Sequence, residues 1–133
     1  MVTKPRRQTL RKNEHLYEKK AIETLFETGK TVSLSPVRLL WNVYEGASEL
    51  PVKVAFTVPR RSFKKAVDRN LLKRRMREAY RKNKYILYGA AETAMKHYHL
   101  MFVYTAKDKA LYAEIESKIV LTLQRIADKT NGK

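Results

Sequence analysis

The 133-residue chain has no cysteine. That excludes disulfide scaffolds, zinc fingers and thiol catalysis, and it is compatible with a reducing cytosol. Glycine is scarce, at four residues, and none forms a Gly-rich loop that would cradle a nucleotide phosphate. No apolar run approaches the roughly 20 residues that a membrane span needs. The basic start MVTKPRRQTLRKNEH has no apolar core behind it and does not form a secretory signal. Acids are also few: 13 against 29 Lys and Arg, for a formal net charge of +16 and a pI near 10.2.

With 44% hydrophobic residues, the chain can still bury an ordinary core, so its charge does not imply disorder. One domain over 1–133 is expected, with a flexible basic arm over 1–14 and a flexible tail over 129–133. The charge favours salt-sensitive association with a polyanion. A cytoplasmic, polyanion-binding domain, monomeric when free and not associated with membrane, is the expectation.

Leu16, Ala21, Ile22, Leu25 and Phe26 recur at helical spacing, with Gly29 as a stop signal; they predict a first helix over about 17–27. VSLSPVRLLWNVY and VKVAFTV alternate as strands and, joined by EGASELP, are expected to pair antiparallel. Helical periodicity follows over 66–82 and, interrupted by Gly89, over 86–96. YHLMFVYTA is a third strand. Leu111, Ile115, Ile119, Leu123 and Ile126 make the apolar stripe of a terminal helix. The class is α+β, with helices expected on one face of a small sheet.

Between Arg60 and Lys82 stand eleven Lys or Arg and only two acids, Asp68 and Glu78. At 100° per residue, Asn70, Lys73, Arg74, Arg77 and Arg81 share an arc of about 100°. Leu72, Met76, Ala79 and Tyr80 share another, which can face the sheet. Like charges at i,i+4 destabilise an isolated helix by a few tenths of a kcal/mol per pair, and an anionic partner reverses that sign. Arginine forks suit phosphate oxygens. A membrane-surface helix would need free apolar residues to insert, whereas this one needs its own for the core. Nucleic acid is therefore the favoured polyanion. No helix-turn-helix, zinc or basic-zipper pattern supports duplex DNA, and a sheet face with aromatics beside a basic helix suits a single strand.

Residues 52–81, VKVAFTVPRRSFKKAVDRNLLKRRMREAYR, resemble the protein component of bacterial ribonuclease P. In that family a strand and a basic loop lead into a helix opening A-V-x-R-N-R-x-K-R-x-x-R-E-A-[FY]. Ala66, Val67, Arg69, Asn70, Lys73, Arg74, Arg77, Glu78, Ala79 and Tyr80 match it, as TLRKNEHL and LFETGK resemble the family's opening and first-helix exit. Leu71 stands where the signature has its second arginine, and Lys64 and Lys65 replace a commoner Gly-Asn in a loop that is one residue longer.

The resemblance implies a single-domain α/β sandwich with a small, mostly antiparallel sheet of about four strands, in the order αβββαβα. It also implies a left-handed βαβ crossover that contains the basic helix. The fourth strand would come from splitting residues 31–44. The implied function is that of the protein subunit of the ribonuclease P ribonucleoprotein. It binds the catalytic RNA and the 5′ leader of precursor tRNA to support Mg2+-dependent endonucleolytic removal of the leader (tRNA 5′ maturation), the magnesium acting through the RNA. The RNA-binding set is Arg60, Arg61, Lys64, Lys65, Arg69, Asn70, Lys73, Arg74, Arg77 and Arg81. Candidates for the leader cleft are Phe26, Arg38, Tyr44, Lys53, Thr57 and Phe63.

The polypeptide itself lacks the pattern of a metal nuclease, so neither catalytic residues nor a metal site are expected in it. Asp68 and Glu78 lie about 15 Å apart along the helix axis, too far to share ions about 4 Å apart. Glu14, Glu18, Glu23, Asp108, Glu114 and Glu116 show no convergent spacing and are expected to be solvated. Neither His15, near the basic arm, nor His97 and His99, near a strand start, are supported as general bases. Trp41, Phe56, Tyr98, Phe102 and Tyr104 are expected in the core. The alternatives are a non-catalytic RNA-binding or chaperone protein associated with ribosomal RNA, and an architectural DNA binder.

Overall fold

The computed structural model describes residues 10–46 and 50–130. A 3₁₀ turn, Lys12–Glu14, precedes α1 (Lys19–Thr28), β1 (Lys30–Leu34), β2 (Val37–Glu45) and β3 (Val52–Thr57). α2 (Ala66–Asn83), α3 (Tyr85–Ala94), β4 (Lys96–Tyr104) and α4 (Tyr112–Thr130) follow. The fourth strand does arise by splitting the 31–44 segment: Ser35 and Pro36 form the turn between β1 and β2. β1 starts earlier than expected, at Lys30, and α3 runs through Gly89 without a break. Met95 closes α3 in the left-handed conformation, φ 54° and ψ 50°, and β4 begins at the next residue.

The sheet order is β1-β2-β4-β3. β2 and β3 therefore do not pair, contrary to expectation, because β4 lies between them, antiparallel to β2 and parallel to β3. The reason is burial: Leu100, Met101 and Phe102 are consecutive and all buried, so β4 has apolar groups on both faces and takes an interior position. The crossover joining the parallel pair contains α2 and α3.

Helices cover both faces of the sheet, not one. The larger core joins Leu39, Trp41, Val52, Val54, Tyr98, Leu100, Phe102 and Tyr104 to Leu72, Met76 and Tyr80 of α2, Leu87 and Tyr88 of α3, and Ile115, Ile119, Leu123 and Ile126 of α4. Phe56 is half-buried against it, stacked 5.8 Å from Phe102. Leu111, placed at the head of the terminal stripe, precedes α4 and is exposed. On the opposite face a smaller cluster seats α1, with Leu16 and Leu25 against Leu40 and Met101.

The flexible arm expected over 1–14 does not extend to its end. Residues 1–9 lie outside the described residues, but Leu10 packs against the larger core and Glu14 is 5% exposed. Glu14 Oε1 accepts from Lys84 Nζ at 2.7 Å and from the Tyr88 hydroxyl at 2.5 Å, while Oε2 accepts from the Arg11 amide at 2.6 Å. Burial alone would raise this carboxyl's pKa; the three hydrogen bonds outweigh it and hold the value below normal. Glu14 is thus a buried tether and not a solvated acid. From it, Leu16 donates its amide to the Val54 carbonyl at 2.8 Å, laying residues 15–16 along the outer edge of β3. At the other end, α4 includes Lys129 and Thr130; the rest of the expected tail lies outside the described residues.

Candidate nucleic-acid interface

α2 is oriented by its apolar arc and by polar ties. Leu72, Met76, Ala79 and Tyr80 are buried as the periodicity predicts. Asp68 pairs with Lys109 at 2.7 Å, and Arg75 Nη1 donates to the Ala110 carbonyl at 2.6 Å. Arg69 Nη1 donates to the carbonyls of Phe63 and Lys64, at 2.8 Å each. Arg69 therefore braces the loop that opens the helix.

The opposite flank carries Asn70, Arg74 and Arg77, all exposed, with Lys73 half-buried beside them. Lys73, Arg74 and Arg77 make no hydrogen bond or ion pair to protein among the described residues. Arg81 differs: it pairs with Glu78, Nε to Oε2 at 3.1 Å plus a second contact from Nη2, which lowers the Glu78 pKa. Arg81's charge is thus met within the protein by Glu78. Arg60, Arg61, Lys64 and Lys65 stand exposed on the preceding loop. Leu71, at the signature's second arginine, is half-buried.

The face of the sheet that carries α1, called the cleft-side face because the leader candidates Arg38, Tyr44, Lys53 and Thr57 lie on it, is laid out in rows across β2, β4 and β3. Leu40, Met101 and Ala55 form the row under α1. Arg38, Val103 and Thr57 lie abreast on one side of it. Asn42, His99 and Lys53 lie abreast on the other, with Tyr44 opposite His97 one step beyond. Tyr44 stacks on His97 at 5.3 Å and 18°, and tilts against His99 at 4.9 Å. His99 Nδ1 is buried with no hydrogen-bond partner among the described residues, and burial lowers the ring's pKa. Lys53 pairs with Glu18 at 3.2 Å. Phe26, on α1, is 60% exposed, an aromatic left in solvent.

Five of the six leader candidates thus sit on α1 or on this face. Phe63 does not: it is 7% exposed and packs edge-on against Tyr104 at 5.7 Å, inside the larger core. Its ring anchors the basic loop. Sequence reasoning passed over Tyr17, which is 66% exposed and pairs with His15 at 5.9 Å. Burial and the charge of Arg77 both lower the His15 pKa, against an opposing contribution from Glu14. It also passed over His97 and His99 as stacking partners, although their alternation with Tyr98 placed them on one face.

Among the described residues, no three His, Asp or Glu side chains gather where they could hold a metal ion, and no helix is long and apolar enough to cross a membrane. A family model described as Ribonuclease P matches residues 10–127. The chain is 29% identical over 126 residues to the "Ribonuclease P protein component" of Porphyromonas gingivalis, covering 95% of this chain and 92% of that one. It is 37% identical over 118 residues to the protein of the same name from Chlorobaculum tepidum, covering 84% and 77%. The fold is similar to that of the RNase P protein from Thermotoga maritima, with a TM-score of 0.64 at 20% identity, over 84% of this chain and 96% of that one.

Proposed function

Because this chain belongs to the ribonuclease P protein family, we propose that it binds the catalytic RNA through α2 and the 5′ leader of precursor tRNA along the cleft-side face. In this reading it acts in the cytoplasm as the monomeric protein subunit of an endoribonuclease whose RNA performs the hydrolysis. Magnesium held by that RNA would supply the activated water and charge stabilisation that the hydrolysis needs. The chain's own residues neutralise phosphates and hold the single strand. Lys73, Arg74 and Arg77 meet backbone phosphates, while Phe26 and the Tyr44–His97–His99 cluster offer faces on which bases stack.

The observation that carries the proposal is the flank of α2. Three cations project from one helical arc with no carboxylate to meet them among the described residues. Such crowding costs folding free energy unless a polyanion offsets it.

The test is reconstitution with the cognate RNA. Adding the protein at low magnesium should restore precursor cleavage, and more strongly when the substrate carries a leader. Absence of stimulation defeats the proposal. Cleavage by the protein without RNA contradicts the division of labour. Stimulation indifferent to the leader, with co-purification on ribosomal particles, favours a general RNA chaperone.

A further inference from the structure

Leu10 and Leu16 are close in sequence and lie in different cores. Leu10 packs against the larger core, with α2, α3 and α4, whereas Leu16 belongs to the smaller cluster under α1. β3 is the outermost strand on this side of the sheet, and Leu16 is bonded to it. The segment between the two leucines therefore crosses from one face to the other around the outer edge of β3. Glu14 sits at the crossing.

The side-chain donors to Glu14 are set in place by the helices that carry them. Lys84 is the single residue between α2 and α3, and Tyr88 follows it by one helical turn, so ammonium and hydroxyl point the same way. The ammonium also lies 5.3 Å from the centroids of both the Tyr85 and the Tyr88 rings, a further hold on its position. The same crossover presents the cationic flank of α2. Glu14 thus joins the helix pair that carries that flank to the segment that leads into α1.

α1 needs such a fixed point. At its far end only Gly29 separates it from β1, and a Cβ there would collide with the Leu25 carbonyl oxygen, so that end is held by close approach. Between its ends α1 rests on Leu25 with the half-buried Ala21 and Ile22. Apolar contacts are non-directional and let a helix slide or tilt. At the near end the Lys53–Glu18 pair, at 3.2 Å, is solvent-accessible and a weak restraint. A buried, hydrogen-bonded ion pair is different: it adds little net stability and can fix a register. Phe26 projects from the helix held in this way.

We infer that Lys84 and Tyr88, acting through Glu14, are positioning residues for α1: the clasp sets that helix over the sheet and relays the seating of α2 on the catalytic RNA to the face that takes the leader. The inference rests on the reading that Phe26 and the cleft-side face meet the leader. It gives the buried pair a part in substrate alignment that stability alone does not require.

The test replaces the clasp by apolar groups of similar size, Glu14→Leu/Lys84→Met/Tyr88→Phe. Removing the three side-chain partners together leaves no buried charge unpaired, so the fold should survive where Lys84→Met alone weakens it. Holoenzyme is reconstituted with the cognate RNA and this protein or the wild type, each with and without Phe26→Ala. Affinity is measured for precursors with a long leader and with a single-nucleotide leader. The clasp variant should bind the long-leader precursor at least about fivefold more weakly, the low end for one stacked base. That factor should be the same at two salt concentrations, because lost stacking releases no counterions. Affinity for the catalytic RNA and for the short-leader precursor should stay as in the wild type. Once Phe26 is replaced, the clasp variant should cost little more, since both changes act on one contact. Tyr88→Phe, which removes one hydroxyl, is run in parallel in case the triple variant does not fold; it should show the same non-additivity with a smaller loss. Unchanged long-leader affinity, losses that simply add, or an equal loss toward the catalytic RNA would overturn the inference. If Phe26→Ala alone leaves long-leader affinity unchanged, the leader reading fails and the inference with it. If Phe26→Ala costs affinity and the clasp variant does not, only the clasp fails.

Discussion

Replacing Lys84 with methionine should be among the most damaging single changes available in this chain. Lys84 is 2% exposed, and its ammonium is 2.7 Å from a carboxylate that is itself 5% exposed. Methionine keeps the length of the side chain and removes the charge, leaving Glu14 ionised in a dry site with only the Tyr88 hydroxyl and the Arg11 amide. Breaking a buried pair from one side costs about 3–5 kcal/mol. At about 2.1 cal/mol/K per residue, a chain of 133 residues unfolds with an entropy near 280 cal/mol/K, so the midpoint should fall by about 11–18 °C. Thermal unfolding followed by circular dichroism at neutral pH measures this directly.

The pH dependence supplies an independent check. In the wild type the folded pKa of Glu14 lies below its ordinary 4.5, so its contribution is complete at neutral pH and is lost as pH falls through the lowered value. In Lys84→Met, burial is no longer outweighed and the folded pKa rises. Protonation then relieves the variant, and the gap between the two proteins should close as pH falls below the ordinary carboxylate value. Adding Glu14→Gln at neutral pH should recover part of the loss. A midpoint shift of less than about 3 °C, or a gap that does not close in acid, would refute the tether. Because the tether leads into residues 15–16 along β3, the same variant should weaken leader binding without removing any cation from the exposed flank of α2.

Phe63 and Phe26 should separate cleanly. Phe63→Ala empties a core site and should cost about 3–5 kcal/mol in stability, whereas Phe26→Ala should stay within about 0.5 kcal/mol. If Phe26 carries a base, its loss weakens leader binding by about 1–3 kcal/mol with the fold intact, as titration with a labelled leader would report. His99 has a folded pKa below its ordinary 6.5, lowered by burial and by His97 and Lys53 against an opposing contribution from Glu18. The unfolded chain therefore binds the proton more readily, and stability is lost as pH falls below the ordinary value. His99→Gln should flatten that loss between about pH 7 and 5; an unchanged denaturation midpoint profile would show that the ring titrates freely.

The parts of this fold legible in the sequence are those set by local period. Leu72, Met76, Ala79 and Tyr80 against Asn70, Arg74 and Arg77 fix the rotation of α2 from spacing alone, and the structure buries and exposes them accordingly. Trp41, Tyr98, Phe102 and Tyr104 were assigned to the core by alternation, and they lie there. What escaped is non-local. Glu14 and Lys84 are 70 residues apart, and nothing in the neighbourhood of either announces the other. The pairing of β2 with β4 instead of β3 depends on which strand needs apolar cover on both faces. The three consecutive buried residues Leu100, Met101 and Phe102 were a signal of it. Phe63 was misplaced because a loop aromatic flanked by lysines resembles a surface contact, whereas its loop folds back onto Tyr104. The Ser35-Pro36 turn was written in the sequence and was obscured by the apolar residues on either side.

The central claim is that the cationic flank of α2 exists for RNA and not for the fold. The direct measurement is the salt dependence of binding to the catalytic RNA by Lys73→Gln/Arg74→Gln/Arg77→Gln, read beside its thermal midpoint. The account predicts a slope smaller by about 2–3, one increment per lost phosphate contact, with a midpoint within about 2 °C of the wild type. An unchanged slope together with a collapsed midpoint would contradict it, for those three side chains would then be holding the protein together.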